Sequence, residues 1–151
     1  MSTNNSVFTI NIPDDWKETT VFTFEGPNED GLLHNLVVVI DPFADNDTDI
    51  KSYVQSQIKN GLDKLSGFEL VYENETEQKN NRRCYEICYK HVPVEDVVLY
   101  QKQLYITDKK GMYIFTSGYT KKTMQTVAYE VDRIIESFRF FDDKTMREML
   151  K

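Results

Sequence analysis

Two cysteines and two histidines are the residues of this 151-residue chain best suited to act as nucleophiles, general bases or metal ligands. Cys84 and Cys88 stand in Arg-Arg-Cys-Tyr-Glu-Ile-Cys-Tyr-Lys, where Tyr85, Ile87 and Tyr89 alternate with their neighbours. That alternation predicts a strand. Residues four apart on a strand share a face but stand about 13 Å apart, at about 3.3 Å per residue. A disulfide needs Cα atoms within about 7 Å, and one zinc ion would require the strand to bend. The pair therefore reads as two small buried thiols. His34 and His91 each fall in a predicted strand, with His91 on the face opposite the cysteines. Asp45-Asn-Asp47-Thr-Asp49 opens like a calcium loop, yet Ile50 stands where the sixth position needs glycine and Ser56 where the twelfth needs glutamate. No Gly-x-Ser-x-Gly, phosphate-cradling glycine loop or His-Glu-x-x-His is present. The expectation is a protein that is not an enzyme, with no catalytic residue, metal or cofactor. A hydrolase reading would have to start from His34 beside an Asp or Glu.

Glutamines in apolar surroundings are the second chemical feature. Gln57 interrupts the apolar stripe of a predicted helix, and Gln101 and Gln103 alternate with apolar residues in Tyr100-Gln101-Lys-Gln103-Leu104-Tyr105. An amide both donates and accepts, so it can bond to the backbone or to small polar side chains of a bound segment. An amide buried without a partner costs about 1–3 kcal/mol. Two readings follow. The glutamines anchor an apolar peptide in a groove, or they line a solvated sheet edge while apolar surplus is used between two copies of the chain.

The elements that must position these residues are mostly strands. Apolar and polar residues alternate over 7–12, 19–25 is β-branched and aromatic, and 32–40 makes a third strand, with turns at Pro13-Asp-Asp-Trp16, Gly26-Pro27 and Asp41-Pro42. Leu36-Val-Val-Val-Ile40 is apolar on both sides, which predicts a central strand covered on both faces. Thr48 or Asp49 caps a helix whose stripe runs Ile50, Tyr53, Val54, Ile58, Leu62, Leu65 and ends at Ser66-Gly67. Strands are predicted at 68–77, 82–92, 97–107 and 112–119, separated by Asn80-Asn81, Pro93 to Asp96 and Asp108-Lys-Lys-Gly111. A second helix starts at Thr120 and carries Val127, Val131, Ile134, Ile135 and Phe138 on one stripe, and a helical turn over 142–151 would hold Met146, Met149 and Leu150. The fold class is α+β: a seven-stranded antiparallel sheet with two main helices, in the order βββαββββα, as one domain over 1–151. Two helices are too few to cover both faces, so apolar surface should stay open for a partner.

With 25 acidic residues against 18 Lys and Arg, the net charge is −7, which opposes binding to nucleic acid or to an anionic lipid surface. No apolar run reaches the ~18 residues of a membrane span, so direct membrane insertion is not expected. Met1-Ser-Thr-Asn-Asn-Ser6 has neither the charged start nor the apolar stretch of a secretion signal, and a cytoplasmic location is expected.

Several stretches together resemble the DcrB-like family, and within it the Eag-type chaperones of type VI secretion effectors. They are Phe8-Thr-Ile10-Asn-Ile12-Pro13-Asp14-Asp15-Trp16, the Leu36 to Ile40 strand, Ile50-x-x-Tyr53-Val54-x-x-Gln57-Ile58, Leu65-x-Gly67-Phe68-Glu69-Leu70, Tyr100-Gln101-x-Gln103-Leu104-Tyr105 and Ser137-Phe138. The resemblance implies a PsbP-like fold and a homodimer that shields the hydrophobic N-terminal transmembrane helices of an effector before secretion. It implies that Gln57 and Gln101 are polar anchors, with Val21, Thr23 and Val38 on the strands that line the groove. Strand alternation adds Leu99 and Gln103 to this set. The alternative is a non-catalytic binding module of the same fold with a folded partner.

Overall fold

Strand-forming residues dominate the chain because apolar and aromatic side chains alternate over most of its length. The computed structural model describes residues 2–4, 8–78 and 82–140. A six-stranded, wholly antiparallel sheet is built from β3 (Thr20–Glu29), β4 (Leu32–Asp41), β5 (Glu69–Gln78), β6 (Arg82–Val94), β7 (Val97–Asp108) and β8 (Gly111–Tyr119), in the spatial order β3-β4-β8-β7-β6-β5. Two short strands, β1 (Ser2–Asn4) and β2 (Thr9–Asn11), pair with each other apart from that sheet. The first predicted strand therefore lies outside the main sheet, which has six strands rather than seven. The helical turn predicted over 142–151 and the Asn80-Asn81 turn lie outside the described residues.

Helix α1 (Ile50–Asn60) packs on the face that carries Tyr85, Ile87, Tyr89, Tyr105, Met112 and Ile114, burying Ile50 and Val54 there. The α-helix stops at Gly61 and continues only as a 3₁₀ turn over Leu62–Lys64, shorter than the helix to Leu65 that periodicity predicts. Gly61 disfavours helix by about 1 kcal/mol relative to alanine, which is enough to end it here. Helix α2 (Val127–Glu136) covers the other face, where Val127, Ala128 and Val131 meet Leu36, Val38, Leu104 and Phe115. Cys84 and Cys88 are buried on this second face and form no disulfide, and burial pushes the Cys88 thiol up to about 11.

One buried polar cluster ties α2 to the β3–β4 hairpin. The carbonyl of Pro27 accepts from His34 Nδ1 at 3.0 Å, and His34 Nε2 lies 2.9 Å from Thr123 Oγ1. Thr120 and Thr123 exchange backbone-to-hydroxyl bonds of 2.9 and 3.1 Å, and the Thr120 hydroxyl donates to Asp30 at 2.7 Å. His34 is thus held by a carbonyl and a hydroxyl, with no carboxylate bonded to either ring nitrogen among the described residues.

The two sheet edges differ. On the outer strand β5, Glu69 pairs with Lys90 at 3.3 Å and Glu75 with Arg83 at 3.0 Å, while Glu73 accepts from Gln55 and Tyr85. On β3 the outward residues are apolar toward both faces: Val21 is 58% exposed, Phe22 47% and Phe24 58%.

Gly111 opens β8 where its Cα faces the preceding crossover. A Cβ there would lie 2.4 Å from the carbonyl oxygen of Asp41, so backbone would have to move. Gly111→Ala is expected to cost about 1–3 kcal/mol in urea unfolding. At Gly61 the nearest atom to an added Cβ is 3.6 Å away, and Gly61→Ala should stay within about 0.5 kcal/mol of wild type.

Candidate functional surface

Cross-strand register decides which side chains share a face. Val21 stands opposite Val39, and Val39 opposite Ile114; Thr23 stands opposite Val37, Val37 opposite Thr116, and Thr116 opposite Gln103. Gln101 faces Gly118 on one side and Tyr89 on the other, and Leu99 faces His91. All of these lie on the face that α1 covers. The helix buries the half built by β6 and β7, where Tyr85, Ile87 and Tyr105 are enclosed. Toward β3 the cover runs out: Val37, Val39, Thr116 and Gln103 are half-buried, and Val21 and Thr23 are exposed. The result is an uncovered strip of valines and threonines with α1 as its wall.

Gln57 belongs to that wall. Tyr53, one turn earlier, donates to Asp41 at 2.7 Å and sets its ring edge-on to Tyr105. Residues four apart share a helix flank, so Gln57 lies on the same side as Tyr53, and it is exposed. Gln101 lies across β8: a Cβ at Gly118 would come within 3.1 Å of both of its amide heteroatoms. The missing side chain at Gly118 lets that amide lie flat on the strip, and no hydrogen bond to it forms among the described residues.

The other predicted residues separate from this pair. Gln103 is occupied within the fold, because Tyr105 donates to its carbonyl oxygen and its amide nitrogen donates to Thr116 at 3.3 Å. Leu99 sits at the far end of β7 beside His91, whose Nε2 is enclosed without a hydrogen-bond partner among the described residues. Burial lowers the His91 pKa below its usual value. Val38 is on the opposite face, buried against Phe115 in the α2 core. The cause is a β-bulge. From the Asp30-Gly31 turn, Glu29 pairs with Leu32 and Asn28 with Leu33, but Glu25 pairs with Asn35. Gly26 and Pro27 together oppose His34, which shifts the register by one residue and turns β4 over. Without the bulge Thr23 would face Val38. The β4 residues of the strip are instead Val37 and Val39. They and Gly118 escaped sequence reasoning, and the available signal was a proline inside a strand pattern, which marks bulges.

A second open region lies on the α2 face. Phe22, Phe24, Val38, Tyr113, Ile134 and Phe138 line an apolar groove of about 350 Å³ between β3 and α2. Among the described residues no group of three or more His, Cys, Asp or Glu converges as a metal site, and no helix is long and apolar enough to cross a membrane.

Residues 8–137 match the family model for DcrB. No curated protein sequence matches the chain. Among solved structures, the chain is similar to the crystal structure of PA94 from Pseudomonas aeruginosa, a protein of unknown function, with a TM-score of 0.73 at 17% identity over 94% of this chain and 97% of that one. It is also similar to the solution structure of cyanobacterial PsbP (CyanoP) from Synechocystis sp. PCC 6803, with a TM-score of 0.55 at 14% identity over 93% and 92% of the two chains. At these identities the likeness is one of fold: two helices on an antiparallel sheet, PsbP-like.

The two sheet glutamines should separate in unfolding experiments. Gln103→Leu strands the buried Tyr105 hydroxyl and is expected to cost about 1–3 kcal/mol. Gln101→Leu loses no internal bond and should stay within about 0.5 kcal/mol. His91 binds a proton less readily in the folded than in the unfolded chain. Its contribution is therefore whole above its ordinary pKa of about 6.5 and is lost as pH falls below that value. His91→Phe is expected to flatten the acid side of the stability profile, read from urea midpoints between pH 7 and 5.

Proposed function

This chain belongs to the DcrB family, and we propose that it is a non-catalytic protein-binding module whose ligand is an apolar helical segment of another protein. The observation that carries the reading is the pairing of Gln101's unengaged amide with an uncovered apolar strip. Valine and threonine side chains left open on a sheet gain about 25 cal/mol per Å² when a partner covers them. An amide beside them would then be enclosed, at a cost of about 1–3 kcal/mol if unpaired. The favoured partner is therefore a segment that is mostly apolar but carries a small or hydroxylated residue where its helix crosses Gln101. Membrane-spanning helices have that composition, because small and polar residues mediate contacts between them. Gln57 offers a second amide from the α1 wall.

The narrower reading is that of a cytoplasmic chaperone for N-terminal transmembrane helices of a type VI secretion effector. The resemblance of Tyr100-Gln101-x-Gln103-Leu104-Tyr105 and of the Gln57 helix to Eag-type chaperones supports it. In water such a helix exposes about 20 apolar residues. A chaperone would hold it by burial alone, without turnover or cofactor. One strip covers one side of a helix, so two protomers facing a common client would enclose more of it, which motivates a homodimer.

The test uses a dye-labelled 20-residue Leu-Ala helix with one central serine and lysines at both ends. Wild-type protein is expected to bind it. Val21→Asp combined with Gln101→Leu should weaken binding at least tenfold, about 1.4 kcal/mol. Gln101→Leu alone should weaken the serine peptide more than the all-Leu-Ala one. Undiminished binding by the double variant would overturn the assignment. Copurification of an effector's apolar N-terminal segment tests the narrower reading separately.

A further inference from the structure

The apolar groove between β3 and α2 opens on the sheet face opposite the client strip, and its width and lining select a different ligand. Its floor is Leu36, Val38 and Ile40 of β4, which extend over about 13 Å at 3.3 Å per residue. A volume of about 350 Å³ over that length gives a mean cross-section of about 27 Å². A helix with its side chains is about 10 Å across, about 80 Å² in section, and is too wide. Carbon atoms in contact stand about 4 Å apart, so one hydrocarbon chain needs about 16–20 Å² and fits. The lining holds no charged side chain. Its hydroxyls are engaged, Ser137 donating to the carbonyl of Ile134 at 2.5 Å and Tyr113 directed to Asp108. An extended peptide in the groove would bring an N–H and a C=O with every residue and meet no partner for them. A methylene chain brings neither.

The two ends of the groove carry opposite charge. A continuation of about 180 Å³ shares Phe24, Leu36 and Ile134 with it and leads to Val127, Glu25 and Glu130. At the other end, next to Phe138, Arg139 is held by its Nη1, which donates to the carbonyls of Glu136 at 2.9 Å and Phe138 at 2.7 Å. Its Nε and Nη2 donate to no acceptor among the described residues. A carboxylate gains charge-assisted hydrogen bonds at Arg139 and meets like charge at Glu25 and Glu130, so the ends orient the ligand. Along α2, Val127 and Phe138 are about 16 Å apart. Carbon–carbon bonds of about 1.5 Å advance about 1.25 Å each in a zigzag, so a chain of about 14 carbons fills the groove and its continuation.

We propose that the groove between β3 and α2 binds one long-chain fatty acid, its carboxylate at Arg139 and its methyl end toward Val127. The proposal does not depend on the client reading.

The experiment is calorimetric titration of the full 151-residue chain with the sodium salts of straight-chain fatty acids of increasing length, from decanoate upward, below their micelle concentrations. Saturable binding of one chain per protomer is expected. Affinity should rise about two- to fourfold per methylene and level off near tetradecanoate. Ile134→Asp and Phe24→Asp change residues that are 51% and 58% exposed, so both variants should keep the fold by circular dichroism. Each should weaken tetradecanoate at least tenfold, and Ile134→Asp should leave peptide binding on the α1 face unchanged. Arg139→Gln should weaken tetradecanoate several-fold and tetradecan-1-ol hardly at all; equal losses for both would overturn the placement of the carboxylate. No saturable binding, affinity independent of chain length, or full affinity in both aspartate variants would overturn the proposal. So would binding to phosphatidylcholine vesicles without binding to monomeric tetradecanoate, which would assign the groove to a bilayer.

Discussion

The architecture rests on a mismatch of widths. Strands lie about 4.8 Å apart, so six of them span about 24 Å, whereas a helix with its side chains is about 10 Å across. Among the described residues each face of this sheet receives a single short helix. A helix of that width shields two or three strands. Both faces nevertheless carry apolar side chains out to β3, and the uncovered remainder on each face follows directly. On one face α1 sits over β6 and β7 and exposes the valine strip; on the other α2 leaves a trough beside Phe22 and Phe24.

The bulge at Gly26-Pro27 determines which residues populate each remainder. One extra residue in β3 puts Leu36, Val38 and Ile40 with Phe22 and Phe24, and Val37 and Val39 with Val21 and Thr23. It also creates the polar knot around His34, since the Pro27 carbonyl is turned toward the ring. Through Thr123 that knot anchors the lead-in to α2. A single local irregularity thus sets both the composition of the two apolar surfaces and the position of the helix between which and β3 the trough forms.

Much of the fold was legible because period-two and period-3.6 patterns report burial directly. The strands from Leu32 onward, the existence of the two helices and the separation of Cys84 from Cys88 follow from that signal, whereas β3 runs through the expected Gly26-Pro27 turn to Glu29 and α2 begins at Val127 rather than at Thr120. Strand alternation also placed Leu99, Gln101 and Gln103 on one face. What periodicity does not carry is register between strands. The resemblance implies Val38 beside Val21 and Thr23, whereas the bulge pairs Thr23 with Val37, and one residue of slippage reverses every side chain beyond it. Nor does alternation reveal that Gln103 is engaged by Tyr105 and Thr116, or that Gly118 makes room for Gln101. Those facts depend on which residue lies across the ladder. Gln57 and Gln101 stand out both in the apolar patterns and in the resemblance, and they lie on different elements, α1 and β7.

The unequal edges of the sheet have a further consequence. Any strand added laterally by backbone pairing meets an apolar rim at β3 but a fence of ion-paired glutamates at β5, and inserted charge of that kind discourages strand addition. Lateral association of identical molecules through β3 would consume the one receptive rim of each and stop. Such a ribbon terminates itself after a single junction, so the molecule can display a greasy border without seeding fibrils.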